Sequence, residues 1–344
     1  MLKYALKRFA LAIVTGIIIL TLVFVLIKLL PLDKPVGNDT ARNSYWLTEV
    51  SRGYIFASAN EIPGLKPADI CTISGKTTYY YSVAVYEQYF RWISNILTHW
   101  DWGVSQKIKT GLSASIIIGQ RLPYSIKLNV VSSLLSIPLG ILIGIWAALK
   151  KNKPTDHIIS TVIMVFISVP SFVLITFLMY WLCYQTGWLP TQWPKPTDPV
   201  ITQVKGYILP TLCLSFGSIA GYGRSTRAEL CEVMSSEYLL LARTKGLTRA
   251  QAIRRHALRN AMVPIIPGIV AEIIGIFVGG SMILESLYGI PGIGSLFIEA
   301  LNLKDWNVLF VVMGFDVVIG LLAGILIDIS YGFIDPRIRM GAKK

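Results

Sequence analysis

Long apolar runs alternate with short polar segments along most of the chain. Six runs stand out: Phe9–Ile27, Leu128–Leu149, Ile158–Tyr184, Tyr207–Gly223, Val263–Leu284 and Val308–Ile327. Each approaches or exceeds the roughly 18 residues that carry a helix across a bilayer. Tyr207–Gly223 is the shortest, at 17 residues with Pro210 inside it. Backbone polar groups in lipid need partners within the segment, so the runs read as helices. They lack the short alternating strands of a barrel. The pattern predicts an all-α membrane protein of six transmembrane helices. Its expected parts are an N-terminal helix (1–30), a large extracytoplasmic loop (31–112) and a five-helix core (113–344). The core is interrupted by a polar loop at about 228–262.

Composition agrees, and charge then orients the chain. Hydrophobic residues make up 53% of the 344, charged ones only 15%. A net charge of +13 raises the question of nucleic acid, and its distribution answers it. With the N-terminus in the cytoplasm, the inside segments hold 18 Lys and Arg and the two short outside loops hold 3. That is the positive-inside bias; the remaining 11 lie in or beside the long outside loop, where the bias has little force. The charge is topological, both termini fall inside, and nucleic acid is not an expected partner. "LLPLDKPVG" after the first run lacks a small-residue cleavage site, so that run reads as an uncleaved anchor. The four cysteines show no CxxC or Cys/His pattern, and a Cys71–Cys183 disulfide is a minor alternative.

Few residues look like chemistry. "SGKTT" at 74–78 resembles the tail of a phosphate loop, but Ile70 stands where the leading glycine belongs, so it reads as a polar turn. His99, His157 and His256 are scattered without metal-ligand spacing, and no metal site is expected. Gly140/Gly144, Gly275/Gly279 and Gly320/Gly324 have the spacing that lets helices approach closely. Asp316, Asp328 and Glu272 lie within apolar runs, where a lipid-facing carboxylate is costly, so they should face protein or water. A continuous helix over Val263–Leu284 would put Glu272 on one face with Gly268, Gly275 and Gly279. Such a polar stripe fits either a helix contact or the wall of a solute path.

The concentrated basic segment is the exception. Eight Lys and Arg lie between Arg224 and Arg259, within and just before "EYLLLARTKGLTRAQAIRRHALRNAMVP" (237–264). Ser235 can cap a first helix of about ten residues, with Glu237 in its first turn and Arg243 and Lys245 in its last. Gly246 falls where a left-handed residue ends a helix, and Thr248 with Gln251 forms a capping box for a second. Tyr238 and Leu239–Leu241 make the first helix apolar around much of its girth, so something must cover it. That cover is either the membrane interface or the socket of a soluble partner.

These residues resemble the cytoplasmic coupling loop of the oligopeptide/dipeptide class of ABC importer permeases. The resemblance continues through "LESLYGIPGIGSLFIEAL" (284–301) and "DPRIR" (335–339). Upstream it includes "WDWGVS" (100–105), "RLPYSIKLN" (121–129) and "LGILIGIWAALKK" (139–151). It implies a subunit in the bacterial cytoplasmic membrane with no catalytic site of its own. The implied partners are a second homologous permease, two cytoplasmic ATPase subunits that bind ATP and Mg, and an extracytoplasmic peptide-binding protein, all set in membrane lipid. Glu237, Ala242 and Gly246 match the coupling motif, and Tyr238, Leu241 and Thr248 belong to the same contact. Leu240 and Leu241 stand where the family is often polar or small. Glu272 stands where it commonly has Gln, and "PLDKP" replaces the usual Gly-Asp-Pro. Residues 36–85 resemble nothing in the family; they either dock the binding protein, cap the path or pack on the helix ends. The cargo expected is oligopeptide. Nickel, glutathione or a sugar is the alternative within the architecture, and a proton-driven secondary transporter using Glu272, Asp316 and Asp328 is the alternative outside it.

Overall fold

The computed structural model describes residues 2–29, 35 and 37–334. "DPRIR", the C-terminal basic residues and residues 31–34 of "PLDKP" lie outside the described residues. Two compact units emerge. One comprises Tyr124–Gly294 with segments 2–9 and 319–334, the other Ala10–Pro123 with Ser295–Val318.

The second unit contains most of helix α1 (Leu2–Lys28) and the segment after it. That segment is folded. Helix α2 (Asp39–Ser51) starts where the Asn38 side chain accepts the Ala41 N–H at 3.0 Å. A three-stranded antiparallel sheet follows, β1 (Ile55–Ser58), β2 (Asp69–Ile73) and β3 (Lys76–Ser82), in the order β1-β3-β2. The sheet corrects the all-α expectation. "TTYYYS" supplies β-branched and aromatic residues suited to a half-buried strand, and Tyr80 and Tyr81 are fully buried. "SGKTT" is the turn of the β2–β3 hairpin: Ser74 and Gly75 both have positive φ (51° and 78°), as a two-residue hairpin turn requires. Trp46 donates to the buried Asp69 carboxylate at 2.8 Å, tying α2 to the sheet. Helix α3 (Val85–His99) closes the segment.

"WDWGVS" has a structural role. Asp305 is fully buried, and its Oδ2 accepts the Ser105 hydroxyl at 2.6 Å and the backbone N–H groups of Gln106, Lys107 and Ile108 at 2.9–3.1 Å. One carboxylate thus satisfies a turn that would otherwise bury unpaired donors.

Helix α4 (Ala114–Leu149) leads into the first unit. Helices α5 (Pro154–Ser168) and α6 (Ser171–Leu178), the latter continued by a π-turn to Gln185, bend by 102° at Val169–Pro170. Pro170 pushes Val169 into extended backbone and stops the helix. Helix α7 (Val200–Met234) runs through Pro210. Beyond it come α8 (Glu237–Thr244), α9 (Arg249–Ala252), a π-turn, α10 (Leu258–Met262) and α11 (Ile266–Gly275). Helices α12 (Met282–Tyr288), α13 (Ile293–Leu303) and α14 (Trp306–Ile334) complete the chain.

Among the described residues three helices are long and apolar enough to cross a membrane: α1, α4 and α14. The number becomes five if each of two bent pairs is one span, α5 with α6 and 249–262 with α11, the second pair bent by 54°. The sixth expected crossing, Tyr207–Gly223, lies in α7, whose 35 residues are ample in length but diluted by Thr211, Ser215, Ser218 and several glycines. Four cysteines are free and buried, so no Cys71–Cys183 disulfide forms.

Candidate functional site

The loop between α7 and α11 folds as an anchored, outward-facing helix. Helix α8 has eight residues, about 12 Å at 1.5 Å each. Ser236, not Ser235, is its N-cap residue; Ser235 instead ends α7, its hydroxyl donating back to the Glu232 carbonyl at 2.8 Å. Tandem serines made the boundary ambiguous by one residue. After Lys245 the chain reverses at Gly246 (φ +93°), where the Leu247 N–H returns to the Ala242 carbonyl at 3.4 Å. The capping box forms as expected, with Gln251 N–H donating to Thr248 Oγ1 at 3.3 Å and Thr248 N–H to Gln251 Oε1 at 3.0 Å.

Leu239 is the anchor. It is buried in a cluster with Ala148 from the end of α4, Leu230 and Cys231 from α7, and Ala252, Ala257 and Ala261 beyond the loop. The alanines let the segment after α8 lie close against α7. The other apolar residues of α8 point away: Tyr238 is 42% exposed, Leu240 62% and Leu241 56%. Glu237, Gly246 and Thr248 are also exposed and Ala242 is half-buried, so all six expected coupling residues lie along one short surface element. A hollow of about 330 Å³ adjoins it, lined by Leu240, Arg243 and Arg249 among others. At the same end, the buried Asp156 of α5 binds Arg227 of α7 through two short hydrogen bonds (2.5 and 2.8 Å).

The second group of expected residues surrounds a break in a helix. Val263–Leu284 is not one helix: α11 stops at Gly275, and residues 276–281 are non-helical before α12 begins. Gly279 has φ +53° and lies in that break, so it does not share a helix face with Glu272. Gly268 shares a face of α11 with Glu272, and a methyl there would lie 4.0 Å from the Tyr222 ring. Glu272, Gly275 and Gly279 nonetheless meet, lining a cleft of about 300 Å³ with Asn129 and Ser133 of α4 and Ser218 of α7. The freed carbonyls of Ile276 and Gly279 accept from the Asn129 side chain at 3.1 and 3.2 Å. Irregular backbone at membrane depth persists where protein partners it or where it borders a cavity, and here both hold. Glu272 is half-buried and accepts the Ser136 hydroxyl at 2.8 Å. This carboxylate thus bonds a neighbouring helix and also borders a cleft.

The glycine pairs behave differently from one another. A methyl group on Gly140 or Gly144 would fall 2.6–2.8 Å from atoms of α7, so this pair sets the α4–α7 crossing. Gly275, Gly320 and Gly324 have open space instead. Asp328 pairs with Arg8 at 3.1 Å.

Glu285 is the residue that sequence reasoning missed. It is 1% exposed, and its Oε1 accepts the Ser125 hydroxyl at 2.7 Å, while Ser125 in turn accepts the Ile293 N–H at 2.9 Å. Gly280 and Gly292 enclose it: a methyl on either would lie 2.0 or 2.3 Å from its carboxylate oxygens. An acid in an apolar run flanked by glycines at −5 and +7 was the available signal.

The family model described as "Binding-protein-dependent transport system inner membrane component" matches residues 140–340. The chain is 32% identical over 343 residues to the oligopeptide transport system permease protein OppB of Haemophilus influenzae, covering 98% of this chain and 100% of that one. It is 31% identical over 341 residues to the dipeptide transport system permease protein DppB of Lactococcus lactis subsp. cremoris, covering 99% and 100%. A solved structure of the MetNI methionine ABC transporter in inward-facing conformations superposes with a TM-score of 0.51 at 14% identity, covering 64% of this chain and 97% of that one. That last likeness is one of fold alone.

Proposed function

Because the chain belongs to the family of binding-protein-dependent transport system inner membrane components, we propose that it is the permease subunit of an ATP-driven oligopeptide importer. In this reading it crosses the membrane six times, α7 included, with both termini cytoplasmic. Residues 31–112 lie outside and 113–344 form the conducting core with the loop at 228–262 facing the cytoplasm. A second, similar permease completes the path, an extracytoplasmic binding protein delivers peptide, and two ATPase subunits hold ATP and magnesium.

The observation that carries the reading is α8, clamped by Leu239 and presenting Tyr238, Leu240 and Leu241 outward. An exposed apolar helix on a rigid footing suits a knob in the socket of a soluble subunit. Movement of that socket on ATP binding would be passed through Leu239 and the Arg227–Asp156 pair to α4, α5 and α7. The cleft at Glu272 supports a role as path wall, since exposed glycine backbone and a carboxylate meet a peptide without reading its side chains. The proton-driven alternative loses support from the Arg8–Asp328 pair, which occupies one of its three carboxylates.

Uptake into proteoliposomes containing the whole complex tests this. Peptide accumulation that requires ATP and the partner proteins and survives proton uncouplers is the expected result. Uptake abolished by uncouplers would overturn it, and ATP-driven uptake of nickel, glutathione or a sugar without peptide would reassign the cargo.

A further inference from the structure

Helix α3 (Val85–His99) buries Trp92 yet leaves a second apolar face open. At 100° per residue, Tyr86, Phe90, Ile93 and Leu97 share one narrow face. Three of these are strongly exposed: Tyr86 at 66%, Phe90 at 68% and Leu97 at 79%. On another side of the helix Gln88, Arg91 and Asn95 bond to protein, while Ser94 and Thr98 stay exposed. Gln88 is buried and donates to the Val83 carbonyl at 2.7 Å, Arg91 donates to the Gly53 carbonyl at 2.6 Å, and Asn95 donates to the Tyr54 hydroxyl at 3.3 Å. A helix bordering water alone does not leave a row of large apolar side chains on its open face.

Its flank fixes its depth. The Tyr89 hydroxyl lies 2.5 Å from Thr21 Oγ1, and the Tyr89 and Trp92 rings pack on Phe24 with centroids 5.4 and 5.1 Å apart. Thr21 and Phe24 belong to α1, one of the three helices apolar enough to cross a membrane. Thr21 is seven residues from the end of that helix, about 10 Å along its axis at 1.5 Å per residue. Helix α3 therefore runs beside the outer part of a span, below its end rather than above it. The next residue, Trp100, ends α3 in the left-handed conformation (φ 54°) and is itself 66% exposed. Tyr and Trp at the rim of an apolar helix face are the residues that settle at a lipid headgroup boundary.

We infer that α3 is an interfacial helix, with the Tyr86/Phe90/Ile93/Leu97 face and Trp100 embedded in the extracytoplasmic lipid leaflet. The inference rests on the membrane topology proposed above but not on what is transported. Its consequence is mechanical: the sheet of 55–82, whose flanking residues Gly53, Tyr54 and Val83 bond to α3, is moored to the bilayer surface and is held at a fixed height beside α1.

The test uses the whole complex in phospholipid nanodiscs, with an environment-sensitive fluorophore on Phe90→Cys and Leu97→Cys. Arg91→Cys, on the polar side and 48% exposed, serves as the aqueous control and Leu26→Cys, on the exposed side of α1, as the lipid control; the unmodified protein, whose native cysteines are buried, is the labelling blank. Tyr86→Cys replaces either variant that fails to assemble. Nitroxide-bearing lipid should quench positions 90 and 97 as strongly as 26, and aqueous iodide should fail to quench them while quenching 91. Iodide quenching at 90 and 97 equal to that at 91 overturns the inference. So does protection from both quenchers, or protection from iodide only after the binding protein is added, since each means that a protein covers the face. Lipid quenching in a complex that does not transport still upholds it, and counts only against the importer reading.

Discussion

Replacing Leu240 and Leu241 together by alanine isolates the docking face of α8 from its anchor. Both side chains are more than half exposed in the permease, so their loss removes little of its own packing. Fully burying a leucine is worth about 1.5–3 kcal/mol. The 62% and 56% of surface still open leave about 1 kcal/mol per residue to be gained in a socket, once the methyl that alanine keeps is discounted. The double variant should weaken ATPase association by about 2 kcal/mol, or about 30-fold. Titration of purified ATPase subunits onto nanodisc-held permease reads the change directly. The melting temperature of the permease alone should stay where it was, and ATP-driven uptake should fall. Leu239→Ala is the contrasting control: it opens a cavity in a packed cluster, costs about 2–5 kcal/mol and should lower the melting temperature. Unchanged ATPase affinity in the double variant would refute the docking role. Equal melting-point loss in both would refute the division of α8 into anchor and face.

Gly246→Val places a β-branched side chain at φ +93°, a cost of about 1–2 kcal/mol; the helix–turn–helix should distort, and ATP hydrolysis in the assembled complex should proceed without uptake. Glu272→Gln keeps an acceptor for Ser136 while removing the charge; assembly and melting temperature should hold, and competition uptake should show cationic peptides losing ground to neutral ones. Gly292→Ala forces a methyl to within 2.3 Å of the Glu285 carboxylate; the expected result is a melting temperature lowered by several degrees or failed insertion, read by detergent-resistant expression, with Gly324→Ala, which has open space, as the silent comparison.

Much of the loop over 237–264 was legible because its determinants are local. A glycine at a left-handed position, a Thr-x-x-Gln box and a run of leucines each act within a few residues, so short-range physics places them. The start of α8 was off by one residue, since either of two adjacent serines can occupy the cap and only the packing of Leu239 decides between them. The hairpin turn at 74–75 was likewise readable, but the sheet was not: strands β1 and β2 are short, and their hydrogen bonds join residues up to 27 positions apart (Ile55 to Ser82), a pairing that no local pattern encodes.

Hydropathy fixed that the chain crosses a membrane repeatedly, since burying backbone in lipid leaves helices as the economical solution. It could not fix where those helices break. The chain bends by 102° at Pro170, whereas Pro210 leaves α7 continuous; whether a proline ends a helix depends on what its freed carbonyls and flanking residues can pack against. At the break over 276–281, two carbonyls receive N–H donors from the side chain of Asn129, which lies on another helix. The same holds for the carboxylates. Sequence alone marked Glu272, Asp316 and Asp328 as too costly for lipid, and tertiary structure alone gave Asp328 an arginine, Glu272 a serine and a cleft, and the unremarked Glu285 a closed cage of Ser125 and two glycines. Desolvation energy can be read from a single position, but its compensation comes from residues more than a hundred positions away, and only the folded chain brings them within hydrogen-bonding reach.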